Sequence, residues 1–251
     1  MFSEKIENVS NFVGKKTLAP ILGYLRTDYV EKFNVKTYGI ENLKEIIDKP
    51  HIIFSNHNSL VEGGDDSGTR PDHLFIFNQI YKTTGEKITI VGQIDYEKNP
   101  KNKILNDVQE KIILPIKEGF NKSIGDDLIP VRNNPKKLNR NFISDVNEIL
   151  DLNKRSILIF PQVVGDIDYN PELPFQSGIF HIYKTRLKQE LSSVPLIPVY
   201  VHGCDSWKPY KNQQIEICFG ESFYFPKNVT KNEVEVIMRD KILKLKESTT
   251  K

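Results

Sequence analysis

Short runs of large apolar residues, each bounded by polar residues, constrain the fold of this chain more than any other feature of its sequence. They stand at Ile52-Ile53-Phe54, Ile88-Thr89-Ile90-Val91 and Ile157-Leu158-Ile159-Phe160. Runs of this length are typical of strands buried on both faces, as in a parallel sheet. Between them, Asn141 to Leu152 and Asn232 to Lys246 carry apolar residues at helical spacing. The alternation predicts an α/β fold with a central, mostly parallel sheet and helices on both faces.

The remaining elements of this domain follow from the same patterns. Further strands are predicted at 33–38, 128–132, 194–201 and 215–219, and further helices at 40–47 and 179–190. Residues 34–251 are therefore expected to form one α/β domain, a size that allows a substantial core.

The first part of the chain, residues 1–33, is predicted to be an N-terminal helical arm. Its apolar residues recur at helical spacing, and Pro20 is expected to divide it into two helices. Lys15, Lys16 and Arg26 flank the apolar residues. Two interpretations stay open: the arm lies in a membrane interface and contacts anionic lipid, or it packs its apolar stripe on the core.

Composition excludes several classes of protein. The hydrophobic fraction is 38% and the charged fraction 27%, which is ordinary for a globular chain, and the net charge of +2 gives no sign of a nucleic-acid partner. No apolar run approaches the ~18 residues of a membrane span. Cys204 and Cys218 lack metal-ligand spacing, so we expect two free, buried thiols. These features predict a cytoplasmic protein, or one that lies on a membrane without crossing it.

The segment after the first buried run carries the groups most suited to catalysis. The chain turns polar at Ser55-Asn56-His57-Asn58-Ser59, beyond the end of a strand, where open α/β sheets bind their ligands. Pro71 and Asp72 then precede the apolar run Leu74-Phe75-Ile76-Phe77, and they suit the first turn of a helix. A histidine that removes a hydroxyl proton, oriented by a carboxylate, is general-base machinery.

Five segments together resemble ordered sequence blocks of the glycerolipid acyltransferase family. The resemblance covers about residues 34–225. The segments are Ser55-Asn56-His57-Asn58-Ser59, Leu128-Ile129-Pro130-Val131-Arg132, Phe160-Pro161-Gln162, Phe175-Gln176-Ser177-Gly178 and Val194-Pro195-Leu196-Ile197-Pro198-Val199. The first resembles the start of the family's His-x4-Asp block, and the third the start of its Phe-Pro-Glu-Gly-Thr-Arg block.

This resemblance implies direct transfer of a fatty acyl group from acyl-CoA or an acyl carrier protein to a hydroxyl of a glycerophosphate or lysophospholipid. His57 would be the general base, with no cofactor and no metal. Arg132 would bind the acceptor phosphate, as an arginine can do bidentately. The same resemblance places four further residues at the substrate site: Asn56, Ser59, Gln162 and Gly178. The partners would be the acyl donor, a phosphate-bearing lipid precursor and a peripheral membrane surface, with no nucleic acid.

The carboxylate partner of His57 departs from the family pattern. Glu62 stands five residues after His57, at the family spacing, but Gly63 and Gly64 follow it, and a flexible backbone holds a side chain poorly. Asp72 precedes an apolar helix, as the family's aspartate does, so residues 60–71 resemble an insertion. We therefore expect Asp72 to be the catalytic partner, with Glu62 as the alternative.

The altered third block keeps other functions open. Gln162 stands for the family's glutamate, and Val163-Val164-Gly165 stand for Gly-Thr-Arg, so the chain could be a non-catalytic lipid-binding relative. A metal-dependent phosphoesterase is a further alternative, because oxygen and imidazole groups gather in one segment. These groups belong to Asn56, His57, Asp65, Asp66, Asp72 and His73.

Overall fold

The computed structural model describes residues 30–47, 49–56, 72–93, 128–131, 139–152, 155–161, 175, 177–204 and 214–249. The strands within these residues are β1 (Asn34–Tyr38), β2 (Ile52–Ser55), β3 (Thr89–Gln93), β4 (Leu128–Val131), β5 (Ile157–Ile159), β6 (Leu196–His202) and β7 (Gln214–Phe219). The α-helices are α1 (Asp72–Thr84), α2 (Asn139–Asp151), α3 (Gly178–Lys188) and α4 (Lys231–Thr249), and a 3-10 helix spans Ile40–Ile47.

The strands form one seven-stranded sheet in the order β1-β7-β6-β2-β5-β3-β4. Strands β6, β2, β5, β3 and β4 are parallel to one another. Strand β7 is antiparallel to β6, and β1 is parallel to β7, so these two run against the rest. The prediction of a central, mostly parallel sheet is confirmed.

Helices cover both faces of the sheet, as predicted. On one face, α1 and the 3-10 helix pack on alternate strand residues such as Ile53 and Leu158. On the other face, α2, α3 and α4 pack on the intervening residues, among them Phe54 and Ile157. Because successive side chains of a strand point to opposite faces, continuous apolar runs are what a sheet with two covered faces requires.

The strand boundaries differ from the predicted ones mainly at β6. The sequence pattern starts this strand at Val194, whereas the structure starts it at Leu196. Pro195 explains the difference, because it has no N–H to donate to a ladder, and its carbonyl accepts from the Ile52 N–H at 2.9 Å instead. At the other end, β6 extends to His202.

Only the end of the N-terminal arm, residues 30–33, lies among the described residues. Val30 and Phe33 are buried, and the Phe33 ring meets Phe75 of α1 edge-on at 5.0 Å between centroids. This end of the arm packs on the core. The arm's remaining residues lie outside the described ones, so the division at residue 33 stays a prediction. None of the described helices combines the length and the apolar character needed to cross a bilayer.

Both cysteines are free and buried, as predicted. Cys204 packs on the α1 face of the sheet and Cys218 on the α4 face, which keeps the two thiols apart. Burial, with a smaller contribution from Glu216, raises the pKa of Cys218 to about 11. This thiol is therefore unreactive at neutral pH, since only the thiolate is nucleophilic.

Candidate functional site

The direction of the chain connections reverses between β2 and β5. These neighbours are parallel, and Phe54 pairs with Ile159 near their ends. From β2 the chain passes through α1 to β3, which lies beyond β5 in the sheet. From β5 the chain passes through α3 to β6, which lies beyond β2, in the opposite direction. Helices α1 and α3 lie on opposite faces. A reversal of this kind leaves a crevice at the carboxyl ends of the strands, where ligands bind in open α/β sheets.

We call the edge at which β2, β5 and β6 end the carboxyl edge, and the opposite one the amino edge. At the carboxyl edge, Asn56 follows β2, and the next residue in the chain is His57. Phe160 and Pro161 follow β5, and the next residue is Gln162. The two segments that the sequence singled out therefore leave the sheet on either side of one crevice.

Several predicted site residues lie outside the described residues, so no contact is assigned to them. They are His57, Ser59, Glu62, Arg132 and Gln162. Their predicted roles stay predictions. Asn56, Asp72 and Gly178 are described.

Asn56 joins the end of β2 to β6. Its side chain is fully buried, its Oδ1 accepts from the Val201 N–H at 2.9 Å, and its Nδ2 donates to the Val201 carbonyl at 2.9 Å. The Ser55 hydroxyl donates to the Asn56 main-chain carbonyl at 3.1 Å. These contacts tie the end of β2 to β6. The predicted role in substrate binding stays a prediction.

Asp72 begins α1, as predicted, and its carboxylate is fully buried. Its Oδ1 accepts from the His73 N–H at 2.9 Å, and the His73 Nδ1 lies 3.9 Å from the same oxygen. Burying a carboxylate is costly unless donors meet it. The start of a helix supplies both unpaired N–H groups and a favourable dipole. Phe75 and Ile76, both fully buried, anchor this first turn in the core.

Gly178 begins α3, and its position does not require glycine. A Cβ at this position would meet the Phe142 Cε1 at 3.8 Å, an ordinary van der Waals contact. Just before it, the Phe175 N–H donates to Glu235 of α4 at 3.3 Å, and the Arg239 guanidinium lies 5.6 Å from the Phe175 ring centre. Phe175 is therefore tied to α4, and the substrate role of Gly178 stays a prediction.

The groups proposed for a metal-dependent phosphoesterase are only partly described. Within the described residues, no three or more of His, Cys, Asp and Glu gather as metal ligands would. Of the six residues named for that alternative, His57, Asp65 and Asp66 lie outside these ranges.

Sequence analysis missed two partners at the crevice, Ser55 and Val201. Ser55 had a detectable signal, since it is a small polar residue at the end of an otherwise apolar strand. Val201 had none, because it contributes only its main-chain N–H and carbonyl. Its contribution follows from the pairing of β2 with β6, which no local pattern encodes.

Comparison with known proteins adds a likeness to solved structures. No protein-family model matches the chain, and no curated protein is significantly similar to it in sequence. Among solved structures, the chain is similar to the 1-acyl-sn-glycerophosphate (LPA) acyltransferase PlsC from Thermotoga maritima, with 14% sequence identity and a TM-score of 0.49. The likeness covers 90% of this chain and 80% of that one. At this identity and TM-score, it assigns neither a family nor an activity.

Proposed function

We propose that this protein transfers a fatty acyl group from a thioester to a hydroxyl of a phosphate-bearing lipid precursor. The observation that carries the proposal is the reversal of strand order between β2 and β5. It opens a crevice at the strand end that continues directly into Asn56 and His57. A buried carboxylate, Asp72, begins the next helix in the chain.

In the proposed mechanism, His57 acts as general base. Its neutral Nε2 takes the proton from the acceptor hydroxyl as the oxygen attacks the thioester carbonyl. The tetrahedral intermediate then collapses, the carbon–sulfur bond breaks, and the thiolate takes the proton back from the imidazolium. Asp72 accepts a hydrogen bond from Nδ1–H, which fixes the tautomer and stabilises the imidazolium. Glu62 is the alternative partner. No covalent acyl-enzyme, metal or cofactor is needed for this proton balance.

Strand spacing supports a phosphate-bearing acceptor. Arg132 follows the last residue of β4, and β4 is the third strand from β2 across the sheet. At ~4.8 Å per strand, the two strand ends lie ~14 Å apart. A long arginine side chain suits the task of holding a phosphate at one end of an acceptor whose hydroxyl reaches His57. Ser59, Gln162 and Gly178 are proposed to complete the substrate site.

A lipid substrate implies a lipid surface. We therefore propose a cytoplasmic protein that associates peripherally with a membrane, with Lys15, Lys16 and Arg26 of the N-terminal arm facing anionic lipid. The donor is acyl-CoA or an acyl carrier protein thioester. Both present the same thioester to the base.

The test measures free thiol released by purified protein. Long-chain acyl-CoA and the long-chain acyl thioester of acyl carrier protein are each incubated with glycerol-3-phosphate and with a panel of lysophospholipids. We expect thiol release that depends on the acceptor, and a loss of at least about 10²-fold in His57→Ala. Release at the wild-type rate in His57→Ala would exclude the mechanism.

A second function, lipid binding without turnover, is favoured by the altered third block, in which Gln162-Val163-Val164-Gly165 lack the family's charged groups. The same experiment separates the two functions. Lipid binding without turnover would be established by two results together. Acyl-CoA or lysophospholipid would bind in equilibrium dialysis, and no pair of donor and acceptor would release thiol.

A further inference from the structure

We propose that Asn56 is a positioning residue, which holds the end of β2, just before His57 in the chain, against β6 through two hydrogen bonds to Val201. The inference rests on the proposed function, because it concerns the residue that would carry the base. It assigns Asn56 a role other than substrate contact.

The register of β2 on β6 explains why Asn56 is needed. Main-chain pairing of the two strands ends with Ser55 opposite Val199. Val201 lies two residues further along β6, and both of its main-chain groups are directed toward the end of β2, at 2.9 Å from the Asn56 amide. The side chain of Asn56 therefore replaces the next rung of the ladder, after the main chain of β2 has left the sheet.

Only a primary amide of this length meets both requirements. The Asn56 side chain offers an acceptor and a donor side by side, which is what the N–H and carbonyl of one residue demand. Aspartate would accept from the Val201 N–H but would turn an oxygen toward the Val201 carbonyl. Alanine would leave the Val201 N–H and carbonyl without their partner, and glutamine is one methylene too long. Asn56 and Val201 are both fully buried, so water does not replace the lost bonds.

Ser55 provides a second support for the same peptide. Its Oγ lies 3.1 Å from the main-chain carbonyl of Asn56 and 3.4 Å from the Asn56 Oδ1. The main-chain carbonyl of Asn56 and the main-chain nitrogen of His57 belong to the same peptide bond. A peptide bond is planar, so fixing Asn56 and its carbonyl also fixes the direction in which the chain leaves toward His57.

A base at a strand end requires such support. Catalytic geometry tolerates little misplacement, and a shift of ~1 Å can lower a rate by about 10²-fold. Sites keep their geometry when rigid elements hold them. Asn56 ties the end of β2 to β6, a strand in the interior of the sheet, between β2 and β7.

The positioning role predicts a particular kinetic pattern. Loosening His57 lowers the chance that it meets the acceptor hydroxyl correctly, so kcat falls while substrate affinity is kept. For Asn56→Ala and Asn56→Asp we expect kcat to fall about 10- to 100-fold, with KM for donor and acceptor within about twofold. A substrate-binding role for Asn56 would instead raise KM with little change in kcat.

Asn147→Ala is the matched control. Asn147 is also a buried asparagine whose Oδ1 accepts one hydrogen bond, from the Arg186 Nη1 at 3.1 Å. It lies on α2 at the amino edge, away from the crevice. We expect this variant to lose stability but to keep wild-type kcat when both are assayed well below their unfolding temperatures.

Amide hydrogen exchange at Val201 tests the contact without any substrate. We expect exchange at Val201 to accelerate about tenfold or more in Asn56→Ala, and to stay at the wild-type rate in Asn147→Ala at matched stability. Unchanged exchange at Val201 in Asn56→Ala would overturn the inference, as would a raised KM with wild-type kcat. If Asn56→Ala does not fold, Ser55→Ala is measured instead, and a fall in kcat with unchanged KM is again expected.

Failure of the proposed function has a different signature. If the wild-type protein transfers no acyl group from any donor, the proposed function is overturned. In that case Val201 exchange alone decides whether Asn56 holds the strand end to β6.

Discussion

The two edges of the sheet both bury polar side chains, but they use them differently. At the amino edge, Arg186 donates to both carboxylate oxygens of Asp151, at 2.7 and 2.9 Å, and to the carbonyl of Ser192 at 2.8 Å. This network ties α2 to α3 and to the segment that enters β6. At the carboxyl edge, the buried side chains belong to Asn56, just after the end of β2, and to Asp72, the first residue of α1.

The difference shows why burial of a polar group is a poor indicator of function by itself. Arg186 is as buried as the groups at the crevice, yet its donors are used to join helices. What distinguishes the carboxyl edge is its position, since it lies where the chain leaves neighbouring strands in opposite directions. Variants at the two edges should therefore separate activity from stability.

The largest expected effect is at the carboxyl edge, in the proposed dyad. Asp72→Asn keeps the shape of the side chain but removes the charge that would stabilise the His57 imidazolium. We expect turnover to fall about 10²- to 10⁴-fold, measured as thiol release at saturating acceptor. Glu62→Gln is the matched control, with turnover close to that of the wild type. The reverse pattern would transfer the role to Glu62.

The next effect is at the amino edge, and it concerns stability alone. Arg186→Ala leaves Asp151 and Asn147 without their donor, and we expect the free energy of unfolding in urea to fall by about 3 kcal/mol. Arg186→Lys keeps the charge but not the bidentate geometry, so it should recover only part of the loss. The kcat of the folded fraction should stay at the wild-type value in both variants. A fall in that kcat would show that the two edges are coupled.

The smallest effect is at an exposed site, the start of helix α4. Helix α4 begins with a capping box, in which the Thr230 N–H and hydroxyl donate to the Glu233 carboxylate at 2.7 and 2.8 Å. The backbone hydrogen bond from Thr230, and then its side-chain hydrogen bond, lower the pKa of Glu233 below its ordinary value. The ionised Glu233 carboxylate therefore stabilises the folded state fully above the pKa of an unfolded glutamate. This contribution is lost as the pH falls through the lowered pKa of Glu233 in the folded protein.

Denaturation curves across this acidic range would measure the effect. The stability difference between the wild type and Glu233→Gln should be largest near neutral pH and should shrink as the pH falls below about 4. The same substitution in a Thr230→Ala background should show a weaker pH dependence. An equal pH dependence in both backgrounds would mean that the Thr230 hydroxyl does not contribute to the shift, since Thr230→Ala keeps the backbone N–H.

The sequence was sufficient to predict the type of sheet and the start of α1. Continuous apolar runs identified β2 and β5, because only strands with two covered faces need them. Pro71, with the apolar run after Asp72, located the first turn of α1, and the helix does begin at Asp72. These features depend on local composition, which a single sequence displays directly.

Other features depend on pairing between distant segments, and local patterns do not encode it. Nothing in the apolar run at 215–219 indicates that β7 runs against β6. Likewise, the expectation that Asn56 contacts substrate came from the family resemblance. Its contacts with Val201 depend on where β2 stops relative to β6.

The pairing of β1 with β7 also has a consequence for how the chain is made. Tyr38 of β1 pairs with Cys218 of β7, and the Asn42 side chain donates to the Phe219 carbonyl at 2.9 Å. A ribosome adds about 5–20 residues per second, so β1 waits on the order of ten seconds or longer before its partner strand exists. During that interval β1 is available to other strands. Completion of this edge of the sheet is therefore expected to be a late step in folding, and a slowed ribosome would lengthen the exposure.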